Sequence, residues 1–121
     1  MKPDYSFFAN TKFALQGVCA LFKNEKSFRI ELCIIIPALI LDCFLPLTLL
    51  EHLFLAFVLF AILIAEAINT AIEANVDLVT ESFNPKAKIA KDCASAAVFF
   101  SVTFALLSWG VFLIKLWQKI E

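Results

Sequence analysis

A chain of 121 residues that is 62% hydrophobic, with a mean hydropathy of +0.89, has too much apolar surface to fold as a soluble domain of this size. Its formal net charge of −1 is uninformative by itself, and no nucleic-acid partner is expected. The four cysteines, Cys19, Cys33, Cys43 and Cys93, show no close pairing pattern and suggest neither a zinc motif nor a disulfide framework; they are expected as small buried hydrophobes.

The first element is a predicted helix over residues 5–24, beginning at Tyr5. Phe7, Phe8, Leu15, Val18, Leu21 and Phe22 alternate there with Asn10, Lys12, Gln16 and Lys23, a pattern suited to the membrane interface. Its interrupted apolar core and the lack of a small-residue cleavage site argue against a signal peptide. A charged elbow, Asn24 to Glu31, follows.

Three continuous hydrophobic stretches then predict membrane helices over 28–49, 50–79 and 85–117, the last built on the apolar run Cys93 to Leu116. They do not alternate as barrel strands do. Pro37 should kink the first span without ending it. Asp42, Pro46, Glu51 and His52 mark the turn after it, where His52 is expected to be solvated rather than a ligand. Lys2, Lys12, Lys23, Lys26 and Arg29 precede the first span, and Lys86, Lys88 and Lys91 precede the third; only Lys115 and Lys119 lie on the other side. This asymmetry places the N-terminus and the second loop in the cytoplasm and Glu121 outside.

The second span ends unusually, in Glu66-Ala67-Ile68-Asn69-Thr70-Ala71-Ile72-Glu73-Ala74-Asn75-Val76-Asp77. At about 100° per residue, Glu66, Glu73 and Asp77 fall within roughly 40° of one another, flanked by Asn69 and Thr70. Glu66 lies roughly 16 Å along the axis from Asp77, so it is inside the membrane if Asp77 marks the surface. Ionisable groups at such depth mark a functional site by default. Three helices cannot wall off that face alone, so an oligomer is expected.

Asn84-Pro85 reads as an N-cap followed by proline at the first helical position. Lys88, Lys91 and Ser95 share a face of the helix that follows. Lysines at a helix start suit an anion, or anchor the helix at the cytoplasmic border. Taken together, a deep carboxylate able to act as base, acids and an amide suited to Mg²⁺, and lysines suited to phosphate are what phosphoryl transfer requires. Gly17 and Gly110 are the only glycines, so no Gly-rich nucleotide loop exists. Readings of other classes are a small ion or proton relay using Glu66, Glu73 and Asp77, and a structural assembly subunit. The relay is disfavoured because Leu53 to Ala65 offers no polar continuation, and the assembly subunit because no lysine lies at the depth of Glu66.

The Glu66–Asp77 stretch followed by Ala90-Lys91-Asp92-Cys93-Ala94-Ser95-Ala96-Ala97 resembles the bacterial integral-membrane diacylglycerol kinase family, with its patterns E-x-x-N-S/T-A-I-E-x-x-x-D and A-K-D-x-x-S/A-A/G-A. The elbow, Asn24-Glu25-x-x-Phe28-Arg29-x-Glu31, also resembles the family's. The resemblance covers nearly the whole chain. It implies an all-α homotrimer, each subunit with a surface helix and three transmembrane helices in a single lipid-kinase domain over 1–121. It implies transfer of the γ-phosphate of MgATP to diacylglycerol at the inner face of the bacterial cytoplasmic membrane, with undecaprenol kinase as the rival within the family. By motif, Glu66 would be the catalytic base, and Glu25 and Glu73 would hold Mg²⁺. Phe13, Glu25, Asn69, Glu73, Ser82, Phe83, Asn84, Lys91 and Asp92 would contact ATP. Ser27, Phe28, Arg29, Ile30, Glu31, Glu66 and Ser95 would lie at the lipid.

Overall fold

The computed structural model describes Asp4 and residues 6–120; Lys2, Tyr5 and Glu121, used above for charge, helix start and topology, lie outside the described residues. The chain forms helices α1 (Phe7–Asn24), α2 (Lys26–Phe44), α3 (Leu49–Val79) and α4 (Pro85–Ile120). Ser6 caps α1, its Oγ accepting from the Ala9 N–H at 3.4 Å. The helix stops at Glu25, which is extended at φ −113° and ψ 109°. Arg29 reaches back from α2, its Nη1 donating to the Phe22 and Lys23 carbonyls at 2.7 and 3.1 Å. A guanidinium thus sits on the negative end of α1 and fixes the elbow.

Helix α2 runs through Pro37 as expected, but it ends at Phe44 rather than at Leu49. Pro46 is the cause: the residue before a proline is pushed out of helical conformation, and Leu45 is extended at φ −78° and ψ 145°. A reciprocal cap then opens α3. Thr48 Oγ1 accepts from the Glu51 N–H at 3.2 Å, and Glu51 Oε1 accepts from the Thr48 N–H at 3.0 Å. The predicted Asn84 cap of α4 is present, Oδ1 accepting from the Lys86 and Ala87 N–H groups at 2.9 and 3.3 Å. The helix continues to Ile120, past the predicted end at 117.

Helices α3 and α4 are long and apolar enough to cross a membrane. Helix α2 falls short of that standard because Lys26, Arg29, Glu31 and Asp42 interrupt its 19 residues. Both α2 and α4 pack on α3. Their shared core is Ile35, Val58, Leu59, Ile62 and Ala105, backed by Ala38, Leu39, Leu63, Val102 and Trp109. The Trp109 indole N–H donates to the Leu55 carbonyl at 3.4 Å, tying α4 to α3. Large side chains such as Phe57, Phe99, Phe100, Leu106 and Trp117 remain exposed, as suits lipid or a second subunit rather than water.

Two expectations need correction. All four cysteines are exposed, none paired. So small a bundle has little interior, and these positions fall on its outer faces. His52 is not simply solvated: its Nδ1 lies 2.9 Å from Oδ1 of Asp42, which is 4% exposed. The pair fastens the end of α2 to the start of α3. Removing His52 leaves a buried carboxylate without its partner. His52→Ala is therefore expected to lower stability by about 2–3 kcal/mol, somewhat less than a fully buried pair. Unfolding in mixed micelles measures this. The double variant with Asp42→Ala should regain part of the loss, and an unchanged midpoint in His52→Ala would contradict a structural pair.

Candidate functional site

The α2–α3 packing brings the elbow side of α2 against the polar end of α3. Glu66 is 4% exposed, although it is a carboxylate. Ser27 Oγ donates to its Oε1 at 3.2 Å. Glu31, one turn beyond Ser27 on the same face of α2, brings its carboxyl within hydrogen-bonding reach of Glu66. One Glu31 oxygen, Oε2, is buried with no donor directed at it. The deepest part of the site is therefore a pair of carboxyls and a hydroxyl where two helices meet.

One turn along α3, Asn69 Nδ2 donates to Glu73 Oε1 at 3.0 Å, while Asn69 Oδ1 and Thr70 Oγ1 are buried and unpartnered. Here α1 lies across α3 and leaves a cleft of about 530 Å³, lined by Asn24, Glu25, Thr70, Glu73 and Asp77 among others. The elbow geometry leaves the Glu25 side chain out of the α2 cap. Among the described residues its carboxylate joins no ion pair. Glu25 and Glu73 thus look into one space from two helices.

Asp77 also lines a second cleft of about 370 Å³ between the end of α3, the 80–84 loop and the start of α4. Ser82, Phe83, Asn84, Lys88, Lys91 and Asp92 line it too. The lysines here are paired within the chain: Lys91 Nζ with Asp77 Oδ1 at 2.7 Å, and Lys88 Nζ with Asp92 Oδ2 at 2.6 Å. These pairs are open to solvent, so they are weak and can exchange for a phosphate. The Asn84 carbonyl oxygen is occupied as a helix cap, which leaves its amide N–H₂ as the free donor group.

The remaining expected site residues are scattered. Phe13 is half-buried on α1 and lines neither cleft. Phe28 is 4% exposed and is a packing residue, whereas Ile30 and Ser95 are exposed. The Arg29 guanidinium is turned toward the α1 carbonyls. Among the described residues no group of three His, Cys, Asp or Glu side chains converges as a metal cage. The pair Glu25 and Glu73 nevertheless fits a cation that keeps its waters and is shared with phosphate, which needs only one or two carboxylates. The orphaned Thr70 hydroxyl and Asn69 carbonyl beside them are the polar atoms such a hydrated ion would satisfy.

Sequence reasoning missed the contact of Glu31 with Glu66 and the position of Asp77 between the two clefts. The i, i+4 spacing of Ser27 and Glu31 was the one local signal for the first.

A bundle this apolar, with two helices able to cross a membrane, is a small helical membrane protein, and two polar clefts lie at the Asp77 end of α3. The chain belongs to the prokaryotic diacylglycerol kinase family, whose profile matches residues 12–113. It is 36% identical over 105 residues to a diacylglycerol kinase of Pseudomonas aeruginosa, covering 86% of this chain and 85% of that one. It is 30% identical over 101 residues to a diacylglycerol kinase of Escherichia coli, covering 84% and 83% of the two chains. An undecaprenol kinase of Bacillus subtilis is 32% identical over 111 residues, covering 91% and 90%. The chain is thus a bacterial membrane protein of a lipid-kinase family.

Proposed function

We propose that this protein transfers the γ-phosphate of MgATP to the hydroxyl of diacylglycerol at the cytoplasmic surface of the membrane, giving phosphatidic acid. The observation that carries the reading is Glu66: a carboxylate almost fully buried, held by the Ser27 hydroxyl, on the same helix as Glu73 and Asp77, which line the clefts beyond it. In this scheme Glu66 takes the proton of the lipid hydroxyl as its oxygen attacks the γ-phosphorus. The bond to the bridging oxygen breaks, and ADP leaves with that electron pair. Lys91 exchanges Asp77 for phosphate oxygens. Ser82, Phe83, Asn84 and Asp92 hold the nucleotide from the loop side, with Asn69 and Phe13 from the other. Glu25 and Glu73 would hold Mg²⁺, which neutralises phosphate charge when bound. Ser27 to Glu31 and Ser95 border the lipid.

The same reading makes α1 an interfacial helix, α2 a third span and the assembly a homotrimer, with the N-terminus in the cytoplasm and the C-terminus outside. At about 1.5 Å per residue, α2 is roughly 28 Å long, close to the thickness of the hydrocarbon core. A proton or ion relay is disfavoured, because Leu55, Val58, Leu59 and Ile62 fill the rest of the buried α3 face with apolar side chains. Undecaprenol is the rival substrate, supported by the Bacillus subtilis relative.

The test is ATP-dependent phosphorylation by the purified protein in mixed micelles, offered diacylglycerol or undecaprenol separately. Diacylglycerol should give the higher kcat/KM. A reversed preference transfers the reading to undecaprenol, and ATP consumption without a phospholipid product from either overturns lipid phosphorylation.

A further inference from the structure

Between α2 and α4, over the floor made by α3, runs an open groove of about 290 Å³. Its lining includes Ile35, Ala38, Leu59, Ile62 and Trp109, and its one ionisable side chain is Glu31. Glu31 therefore stands between an apolar groove on one side and Glu66 on the other. No task in the proposed reaction accounts for a second carboxyl there, other than contact with the lipid.

We propose that Glu31 is a positioning residue for Glu66: the two carboxyls share one proton, and Glu31, holding it, donates the hydrogen bond that keeps Glu66 ionised and aimed. The inference rests on Glu66 being the base in lipid phosphorylation. Like charges in contact, one of them almost fully buried, disfavour double ionisation, so the pair retains a proton. The surroundings decide which partner carries it. Glu66 already accepts from the Ser27 hydroxyl, so it stands as the acceptor of the pair. Glu31 has Oε2 buried with nothing donating to it. An unpaired oxygen costs far less on a neutral acid than on a carboxylate.

The charges nearby do not reverse this. Of the cations on the same helix, Arg29 is engaged with the α1 carbonyls and Lys26 is exposed at the first helical position. From α3 the facing group is Glu66 itself. From α4 the groove receives Val102, Ala105, Leu106 and Trp109, none of them ionisable. In turnover Glu66 takes a second proton from the lipid hydroxyl as the new O–P bond forms. The pair then carries two protons and returns one to water on the cytoplasmic side before the next cycle.

Two variants separate positioning from lipid contact. Glu31→Gln supplies a neutral N–H donor of the same shape. Glu31→Leu fills similar space without a donor. Leu is expected to lower kcat about 10- to 100-fold below that of Gln, the worth of one hydrogen bond to a charged group, while any change in the lipid KM is shared by the two variants. Infrared spectroscopy gives a second readout that needs no substrate: a protonated-carboxyl C=O band at neutral pH that Glu31→Gln removes. Equal damage in both variants, a change confined to the lipid KM, no change in either, or the absence of that band would each overturn the proposal. If the parent protein fails to phosphorylate lipid at all, the functional reading falls, and the infrared band alone then decides whether the carboxyls share a proton.

Discussion

Glu66→Gln is expected to reduce lipid phosphorylation by about 10² or more while leaving insertion and assembly intact. The amide has nearly the same volume as the carboxylate, so the α2–α3 contact is retained. Its carbonyl oxygen can still accept from Ser27 Oγ, which now lies 3.2 Å from Glu66 Oε1. What is lost is the capacity to accept a proton. The effect should therefore fall on kcat, with the KM values for ATP and lipid little changed. Single-turnover phosphorylation at saturating substrate, with helix content and oligomer size as controls, measures it. Near-normal turnover would remove Glu66 from the role of base.

The second large effect concerns the acids facing each other across the α1–α3 cleft. Glu73 lies two turns from Glu66, about 10 Å along α3, too far for both to ligate one ion through Mg–O bonds of about 2.1 Å. Glu25 is the carboxylate that the fold brings from outside α3 to the same cleft as Glu73, and among the described residues it balances no lysine or arginine, whereas Asp77 there is paired with Lys91. Glu25→Gln and Glu73→Gln should each raise the Mg²⁺ concentration needed for half-maximal rate and lower the maximal rate. The double variant should lose much less than the sum of the two losses, because the pair acts as a unit. Titration of initial rates against Mg²⁺ at fixed ATP makes the comparison. An unchanged Mg²⁺ dependence in Glu25→Gln would reduce that residue to a part of the elbow.

What these tests address was partly open to reading in the chain. The periodicity of Glu66, Asn69, Glu73 and Asp77 is a local property of a helix, and the structure keeps all four on α3. Asn84-Pro85 announces the start of α4 because capping involves only neighbouring backbone. The early end of α2 was also local, since Pro46 bars helix at Leu45, but the apolar run through Leu49 obscured it.

By itself the sequence determined the all-helical class, the acidic face and the family. Each rests on patterns shorter than a helix or on motifs at fixed spacing. Only the tertiary structure decided which side chains meet. Ser27 and Glu66 are 39 residues apart, and their contact depends on the register of α2 against α3. That register is set by the packing of Ile35 on Val58, Leu59 and Ile62, together with the length of the turn begun at Leu45. The same packing turns Asp42 inward to His52 and leaves the cysteines outside. Helical periodicity says which residues share a face; it carries no information about how far one helix slides along another, and that offset is what places Glu31 beside Glu66.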